Sequence, residues 1–407
     1  MRSSTISSIH EQLLKKDFKL HSLLEITNAI NSNQSVERIC MLFEFILREQ
    51  LGISKFILYN KQTQWNTLLK IGFKGKIKDL DVEADLFRFR EITVIESSPI
   101  KALHQFDVIV PILHKKQALA YLLIAGLEEQ RLDENETMEF IQTLANIIVV
   151  AIENKRLAAL SIKQEKMKKE LELAAELQKL LFPAELPSNQ DMDISAKYKS
   201  HHEVGGDYYD FIYLGDNEYA ICIADVSGKG IGAAMLMANF QATIRTLFNY
   251  QRFDLDFLIS ELNNRVMDNS KGEKFITFFV AIYNSETRKI NYVNAGHNHP
   301  ILTNGKTAEF LDDGCIGLGM LQDIPTLSIG ERILAPNTTL CMYTDGLVEL
   351  NNEKDEQFET DRLVKLIHNY YPIKMEDMNN LIFSKLDEWR GEREFEDDTA
   401  ILSCRFF

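Results

Sequence analysis

Ala224-Asp225-Val226-Ser227-Gly228-Lys229-Gly230 follows directly on the apolar run 219–224. A short apolar run ending in Asp reads as a buried strand meeting a loop. Three other stretches put an Asp at the same kind of boundary. They are Gly205-Gly206-Asp207-Tyr208-Tyr209-Asp210, Tyr343-Thr344-Asp345-Gly346 after the run 338–343, and Glu396-Asp397-Asp398-Thr399 before the run 400–406. A carboxylate at such a place is costly to desolvate unless it is paired or binds a cation. Converging carboxylates also repel one another, which raised pKa values or bound metal relieve. Hard oxygen donors without a Cys or His cluster suit Mg²⁺ or Mn²⁺ rather than zinc. Each motif alone is weak, because an Asp-Gly after a strand is ordinarily a turn. Ser-Gly-Lys-Gly invites a phosphate-loop reading, but the spacing G-x-x-x-x-G-K-[ST] is absent. The signal is the set of four in this order.

The surrounding segment, residues 191–407, alternates strand and helix patterns. Residues 233–248, 255–267, 362–370 and 375–389 predict amphipathic helices. Residues 275–283 and 289–294 predict a strand pair turned by Asn284-Ser285-Glu286-Thr287-Arg288.

These motifs, with Asn294-Ala295-Gly296-His297-Asn298, resemble the SpoIIE-type branch of the PPM family, the metal-dependent Ser/Thr protein phosphatases. The resemblance implies a sandwich of two antiparallel sheets flanked by helices, with two Mn²⁺ or Mg²⁺ ions at one edge. It implies that Asp225 bridges the metals beside the Val226 carbonyl and that Asp207 is a further ligand of one metal. Asp345 and Asp397 then bind the other, with Asp398 as a neighbouring water-mediated or third-metal contact. Asp207, Asp225, Asp345 and Asp397 are the expected catalytic carboxylates. Two cations roughly 3.5–4 Å apart share a water and lower its pKa for in-line attack on phosphoserine or phosphothreonine. By the same resemblance the substrate is a STAS-type phosphoprotein of a bacterial partner-switching pathway. A catalytically weak sensor or scaffold, and a phosphatase of small phosphorylated metabolites, are the alternatives. His297 and His299 are expected to hold a loop, and a direct role for His201 and His202 is disfavoured.

Upstream, residues 153–182 contain no Gly or Pro. Leu157, Leu160, Gln164, Met167, Leu171, Ala174, Gln178 and Leu181 alternate spacings of three and four, which predicts a coiled-coil seam stopped by Pro183 and Pro187. The polar Gln164 and Gln178 weaken that seam. Helix patterns begin at Ile9 and Val36. Strand-like runs follow at 55–59, 65–71, 108–113 and 119–125, the last two joined by His114-Lys115-Lys116-Gln117, and a further helix opens at Asp133-Glu134-Asn135-Glu136. This front end resembles a GAF sensor domain, though no ligand signature is present. The expected class is therefore α/β (α+β). Residues 1–152 form a GAF-like sensor and dimerisation domain, 153–187 a linker helix and 188–407 the phosphatase domain. A homodimer through the front end and linker is expected, the front end being either a dimerisation unit alone or also the site of an unidentified small-molecule ligand.

Composition bounds these readings. The chain has 407 residues with 45% hydrophobic and 26% charged, an ordinary globular balance. Its net charge of −15 argues against nonspecific binding to nucleic acid or an anionic membrane. Residues 1–190 hold 25 basic and 25 acidic side chains, while 191–407 hold 20 and 35, so the whole surplus lies with the acidic motifs. The five cysteines are scattered with no Cys-x-x-Cys pair, which fits a reducing cytoplasm. No signal peptide or membrane span is expected.

Overall fold

The computed structural model describes residues 2–74, 80–95, 98–114, 117–127, 135–250 and 254–407. The chain divides into two compact units, Met1–Glu165 and Lys166–Phe407.

In the first unit, α1 (Arg2–Asn31) and α2 (Val36–Phe45) precede the strands. The strands are β1 (Lys55–Lys61), β2 (Trp65–Ile71), β3 (Thr93–Val94), β4 (Val108–His114) and β5 (Gln117–Ala125), with α3 (Val82–Leu86) after β2. Ser35 accepts from the Arg38 amide and caps α2. The sheet order is β2-β1-β5-β4-β3, antiparallel throughout. Strand alternation divides the apolar residues between two faces. Phe56, Leu58, Val110 and Leu122 pack under α2 and the long helix α4 (Asn135–Lys179), while Ile57, Ile109, Tyr121 and Leu123 meet α3 and Phe106. Lys115, Lys116, Asp133 and Glu134, named for the hairpin and the helix start, lie outside the described residues.

The helix α4 runs unbroken across the boundary expected at 152/153. The heptad pattern reaches past the helix. Leu157, Leu160 and Met167 are exposed on the helix, but Gln178 is buried and Leu181 lies past the last helical residue, Lys179. Leu181 and Phe182 pack against the core of the second unit instead. The helix ends in turn hydrogen bonds, Leu180 N to Leu177 O and Leu181 N to Gln178 O, four residues before Pro183.

The second unit is a four-layer α-β-β-α sandwich. Its strands are β6 (Met192–Lys199), β7 (Tyr208–Gly215), β8 (Glu218–Val226), β9 (Ile276–Asn284), β10 (Lys289–Ala295), β11 (Ile301–Thr303), β12 (Ala308–Phe310), β13 (Gly314–Cys315), β14 (Gly330–Ile333), β15 (Thr338–Tyr343) and β16 (Thr399–Phe406). One sheet has the order β13-β10-β9-β8-β7 with β14 beside β10, the other β12-β11-β15-β16-β6. Ile221, Ile223, Phe279, Met342, Leu402 and Phe406 fill the space between the sheets. The neighbours Cys222, Ala224, Phe278 and Val280 point outward, under α5 (Ile231–Tyr250) and α6 (Leu255–Ser270). On the other side, Ile301, Cys341 and Ile401 pack under α8 (Thr360–Asn369) and α9 (Met375–Arg390), with the short α7 (Asp345–Val348) between. Burial on both faces explains why these strands read as continuous apolar runs rather than alternating ones. Truncating a core aromatic such as Phe279 to Ala would cost roughly 3–5 kcal/mol.

Candidate metal centre

The pairing register brings all four acidic motifs to one end of the sandwich. Tyr208 pairs with Ala224, so Asp207 before β7 and Asp225 near the end of β8 share that end. Tyr343 pairs with Ile401, so Asp345 after β15 and Asp397-Asp398 before β16 share it in the other sheet. Thr399 pairs with Lys199, which adds the close of β6 and its Tyr198. The antiparallel ladders therefore do what sequence spacing cannot, since the outermost acids are 191 positions apart.

Backbone contacts hold the rim together. Gly206 N and His201 N donate to Asp398 Oδ2 and Oδ1 at 2.6 and 2.8 Å. Thr344 Oγ1 donates to Asp207 Oδ2 at 2.8 Å and accepts from Ala400 N at 2.9 Å. A Cβ on Gly205 would stand 1.9 Å from Tyr198 Oη, and one on Gly346 would stand 2.0 Å from the Asp398 carbonyl oxygen. These glycines are needed for close approach rather than for a left-handed turn, as neither has positive φ. Gly206 packs against the Val226 carbonyl, where a Cβ would be 3.0 Å away.

Burial and mutual repulsion dominate the electrostatics. Asp207 is fully buried, and desolvation followed by the charges of Asp225 and Asp398 raises its carboxyl well above the usual range. Asp225 is pushed up to about 7, first by desolvation and then by Asp345, Asp397 and Asp398. Asp345 is raised by desolvation and by Asp397. Asp398 is raised by burial, which the amides of His201 and Gly206 partly offset.

Among the described residues, no group of three or more His, Cys, Asp or Glu side chains stands in ready-made metal-ligand geometry. The carboxylates are turned to protein partners: Asp398 to two amides, Asp207 to Thr344, and Asp397 to Lys229 Nζ at 2.8 Å. The residues nevertheless fit hard divalent cations. Asp207 Oδ1 is a buried acceptor with no donor. The acids raise one another's pKa, and the donors are carboxylate and carbonyl oxygens.

Other sequence candidates take structural places. His297 is buried and its pKa is lowered to about 3 by desolvation, so it is neutral. Its Nδ1 lies 2.9 Å from Thr277 Oγ1, and its amide donates to Asn294 Oδ1 at 2.7 Å. It holds the loop after β10, and His299 is exposed. The His201 and His202 ring centroids lie 4.3 Å apart with the rings tilted at 48°, and among the described contacts of the pair the His201 amide is the one that reaches an acid of the rim.

Asp210, in the same motif as Asp207, accepts from Arg245 Nε and Nη2 at 2.7 and 2.8 Å and from Tyr208 Oη. It ties β7 to α5. Sequence reasoning did not pair it with Arg245, which lies 35 positions away on a helix. Gln178 was also missed as a contact. Its Nε2 donates to Gly205 O at 2.7 Å, and Gly205 N donates back to Gln178 Oε1 at 3.2 Å. Its polarity at an apolar seam position was the available signal. Tyr198 Oη, buried without a partner beside Gly205, left none.

Comparison with known proteins bears on this domain. Residues 215–407 match the family described as Stage II sporulation protein E (SpoIIE), a span that contains Asp225, Asp345, Asp397 and Asp398 but not Asp207. Protein IcfG of Synechocystis sp. is 26% identical over 326 residues, covering 73% of this chain and 51% of its own length. Phosphoserine phosphatase RsbU of Bacillus subtilis is 29% identical over 245 residues, covering 60% of this chain and 72% of its own. The chain thus spans about half the length of the first of these relatives and under three quarters of the second. The SiaA-PP2C domain of Pseudomonas aeruginosa superposes with a TM-score of 0.55 at 20% identity, covering 60% of this chain and 99% of that domain, so the two share a fold. Residues 215–407 thus match the SpoIIE family, and the second unit shares its fold with a PP2C domain.

Proposed function

We propose that the protein is a metal-dependent protein serine/threonine phosphatase. The observation that carries this reading is the meeting of five carboxylates from four separate segments at one end of the sandwich, each of Asp207, Asp225, Asp345 and Asp398 raised in pKa by burial and by its neighbours. Asp225 is the bridging candidate beside the Val226 carbonyl. Asp207 would hold one metal and Asp345 and Asp397 the other, with Asp398, whose two oxygens accept from the His201 and Gly206 amides, as a neighbouring contact. When bound, two Mn²⁺ or Mg²⁺ ions supply Lewis-acid charge to the phosphoryl oxygens and lower the pKa of an attacking water. The chain's own part is to hold the donors. Thr344 fixes one oxygen of Asp207 and leaves Oδ1 free, while the amides of Gly206 and His201 fix Asp398. The test is hydrolysis of p-nitrophenyl phosphate with Mn²⁺, where Asp225→Asn should remove activity. Near-wild-type turnover in that variant sinks the assignment.

The substrate is a phosphoserine on a partner protein, with a STAS-type protein as the first candidate. RsbU, one of the relatives, is itself called a phosphoserine phosphatase. A panel of phosphoproteins and phosphometabolites separates this from a metabolite phosphatase. We read the front end as a GAF-type sensor that also dimerises and the C-terminal part of α4 as the linker that reports to the catalytic domain. The reciprocal Gln178–Gly205 hydrogen bonds support the second point, since Gly205 adjoins Asp398 and Asp207. Phe182 adds ring contacts to Tyr209 and Tyr198 at 4.8 and 5.2 Å. The exposed Leu157, Leu160 and Met167 support a homodimer along α4. In the sensor, Trp65 Nε1 and Tyr121 Oη, buried without partners on the sheet face that meets α3, mark where a small molecule would be sought. Leu171→Pro should uncouple basal activity from any sensor signal; unchanged activity and dimerisation would count against the linker. Among the described residues, no helix is long and apolar enough to cross a membrane.

A further inference from the structure

Among the described residues, Lys229 is the ammonium turned onto the carboxylate rim, and it sits on the short loop between β8 and α5, whose Gly230 carbonyl accepts from Ala234 N at 3.1 Å. Ser227 is tied down three ways. Its amide donates to Phe275 O at 2.9 Å, its Oγ accepts from Phe275 N at 2.9 Å, and its carbonyl accepts from Lys274 Nζ at 2.7 Å. Beyond it, Gly228 and Gly230 flank Lys229 at φ +82° and +75°, conformations that L side chains rarely adopt. The Lys229 ammonium stands 2.8 Å from Asp397 Oδ2 and also donates to the Glu396 carbonyl. Both side chains of the pair are about two-fifths exposed, at 44% and 41%, so water reaches them and the contact is exchangeable.

Other cations of this end, among the described residues, have partners of their own, Arg393 on Asp355 and Glu396 among them. Arg245 is held by Asp210, and Lys274 by the Ser227 carbonyl. If Asp397 gives its oxygen to a divalent cation, the ammonium loses its partner and is repelled by the charge beside it. Its four-carbon stem and three rotatable donors then suit it to a new anion. Five carboxylates against two divalent cations leave about one negative charge uncompensated, an unfavourable field for an arriving phosphomonoester dianion. One ammonium cancels it.

We propose that Lys229 is a phosphate-binding residue of this site. It pairs with Asp397 while that carboxylate is free, and it turns to a phosphoryl oxygen of the phosphomonoester once Asp397 holds a cation. The proposal rests on the phosphatase reading above and adds a ligand to the substrate side of the same site.

The test uses the full chain loaded with Mn²⁺, with inorganic phosphate as the probe in calorimetric titration, and compares wild type with Lys229→Gln and Lys229→Arg. Manganese binding is followed separately by electron paramagnetic resonance. Loss of one charge-assisted contact should weaken phosphate binding in Lys229→Gln by about tenfold to a hundredfold. Manganese binding should stay at wild-type strength or tighten, because a competing cation has left Asp397. Lys229→Arg should recover most of the phosphate affinity. With a phosphoserine substrate the Gln variant should raise KM more than it lowers kcat. Phosphate affinity within twofold of wild type in Lys229→Gln overturns the proposal. So does loss of manganese binding there, which would make Lys229 a support of the metal site, and so does a manganese-loaded wild type that binds no phosphate. Phosphate binding by a wild type that hydrolyses no phosphomonoester fails the phosphatase reading alone.

Discussion

At the rim of the sandwich Asp207 is buried with one oxygen unpartnered, while three residues on, under α5, Asp210 is equally buried and held by Arg245 and Tyr208. Both belong to Gly205-Gly206-Asp207-Tyr208-Tyr209-Asp210, and both have lost their water. Asp210 is compensated inside the protein by a two-pronged guanidinium contact. Asp207 faces other acids, so its compensation has to come from a proton or a cation. The difference separates an acid that holds the fold together from one kept available for a ligand, and nothing in the identity of the two residues tells them apart.

The largest effect expected from breaking that contrast is on the rim. Asp345→Asn should lower manganese-dependent hydrolysis of p-nitrophenyl phosphate at least about a thousandfold, since removal of a charged metal ligand acts directly on transition-state charge. The folded state should survive, because the substitution also removes a repulsive charge. A variant that keeps more than a tenth of the activity would remove Asp345 from the metal set.

On the compensated side, Arg245→Ala leaves Asp210 buried without its ion partner. The cost should be about 2–4 kcal/mol in denaturant unfolding, below the full range for a buried pair because the Arg245 side chain is 41% exposed. Arg245→Ala with Asp210→Asn should recover a good part of that loss. A single variant as stable as wild type would show that the pair carries no structural load.

The third prediction concerns pH. Asp207, Asp225, Asp345 and Asp398 have folded pKa values above their unfolded ones, with Asp225 near 7. The native state therefore binds more protons than the unfolded state between about pH 4 and 7, and stability falls as pH rises through that window. In EDTA, Tm should drop from pH 5 to pH 8; Asp225→Asn should flatten the slope, and Mn²⁺ should remove it. A metal-free Tm that rises over this range contradicts the crowding of charge at the rim.

The smallest effect is at the helix end. Gln178→Ala should cost about 1 kcal/mol, the net worth of a typical hydrogen-bonded side chain. It should change activity by more than that loss of stability explains if the Gln178–Gly205 contact positions Asp398 and Asp207. Activity that simply tracks stability would make the contact an ordinary helix anchor.

Much of the second unit was legible. Apolar runs ended by Asp located β8 and β15, and the pair 275–283 and 289–294 appears as β9 and β10 with one-residue adjustments. The partners of the acids were not legible. Thr344, Lys229 and Arg245 act across strand pairings or helix packing, and such contacts leave no mark on local periodicity. The heptad pattern overran for a related reason. Gln178 and Leu181 keep the spacing of a seam, but the adjacent domain offers Gln178 the backbone of Gly205 and Leu181 an apolar core, which a solvated helix face cannot match.

By itself the sequence determined the residue types and their boundaries: acids at the ends of buried strands, glycines beside them, and a net negative charge confined to residues 191–407. Those follow from local chemistry, the period of a strand and the cost of desolvating a carboxylate. Only the tertiary structure decided which acids face each other, which are neutralised within the protein, and which cation leans on the rim. Those outcomes depend on antiparallel registers that bring positions nearly two hundred residues apart to hydrogen-bond distance, where Coulomb interaction outweighs anything chain order prescribes.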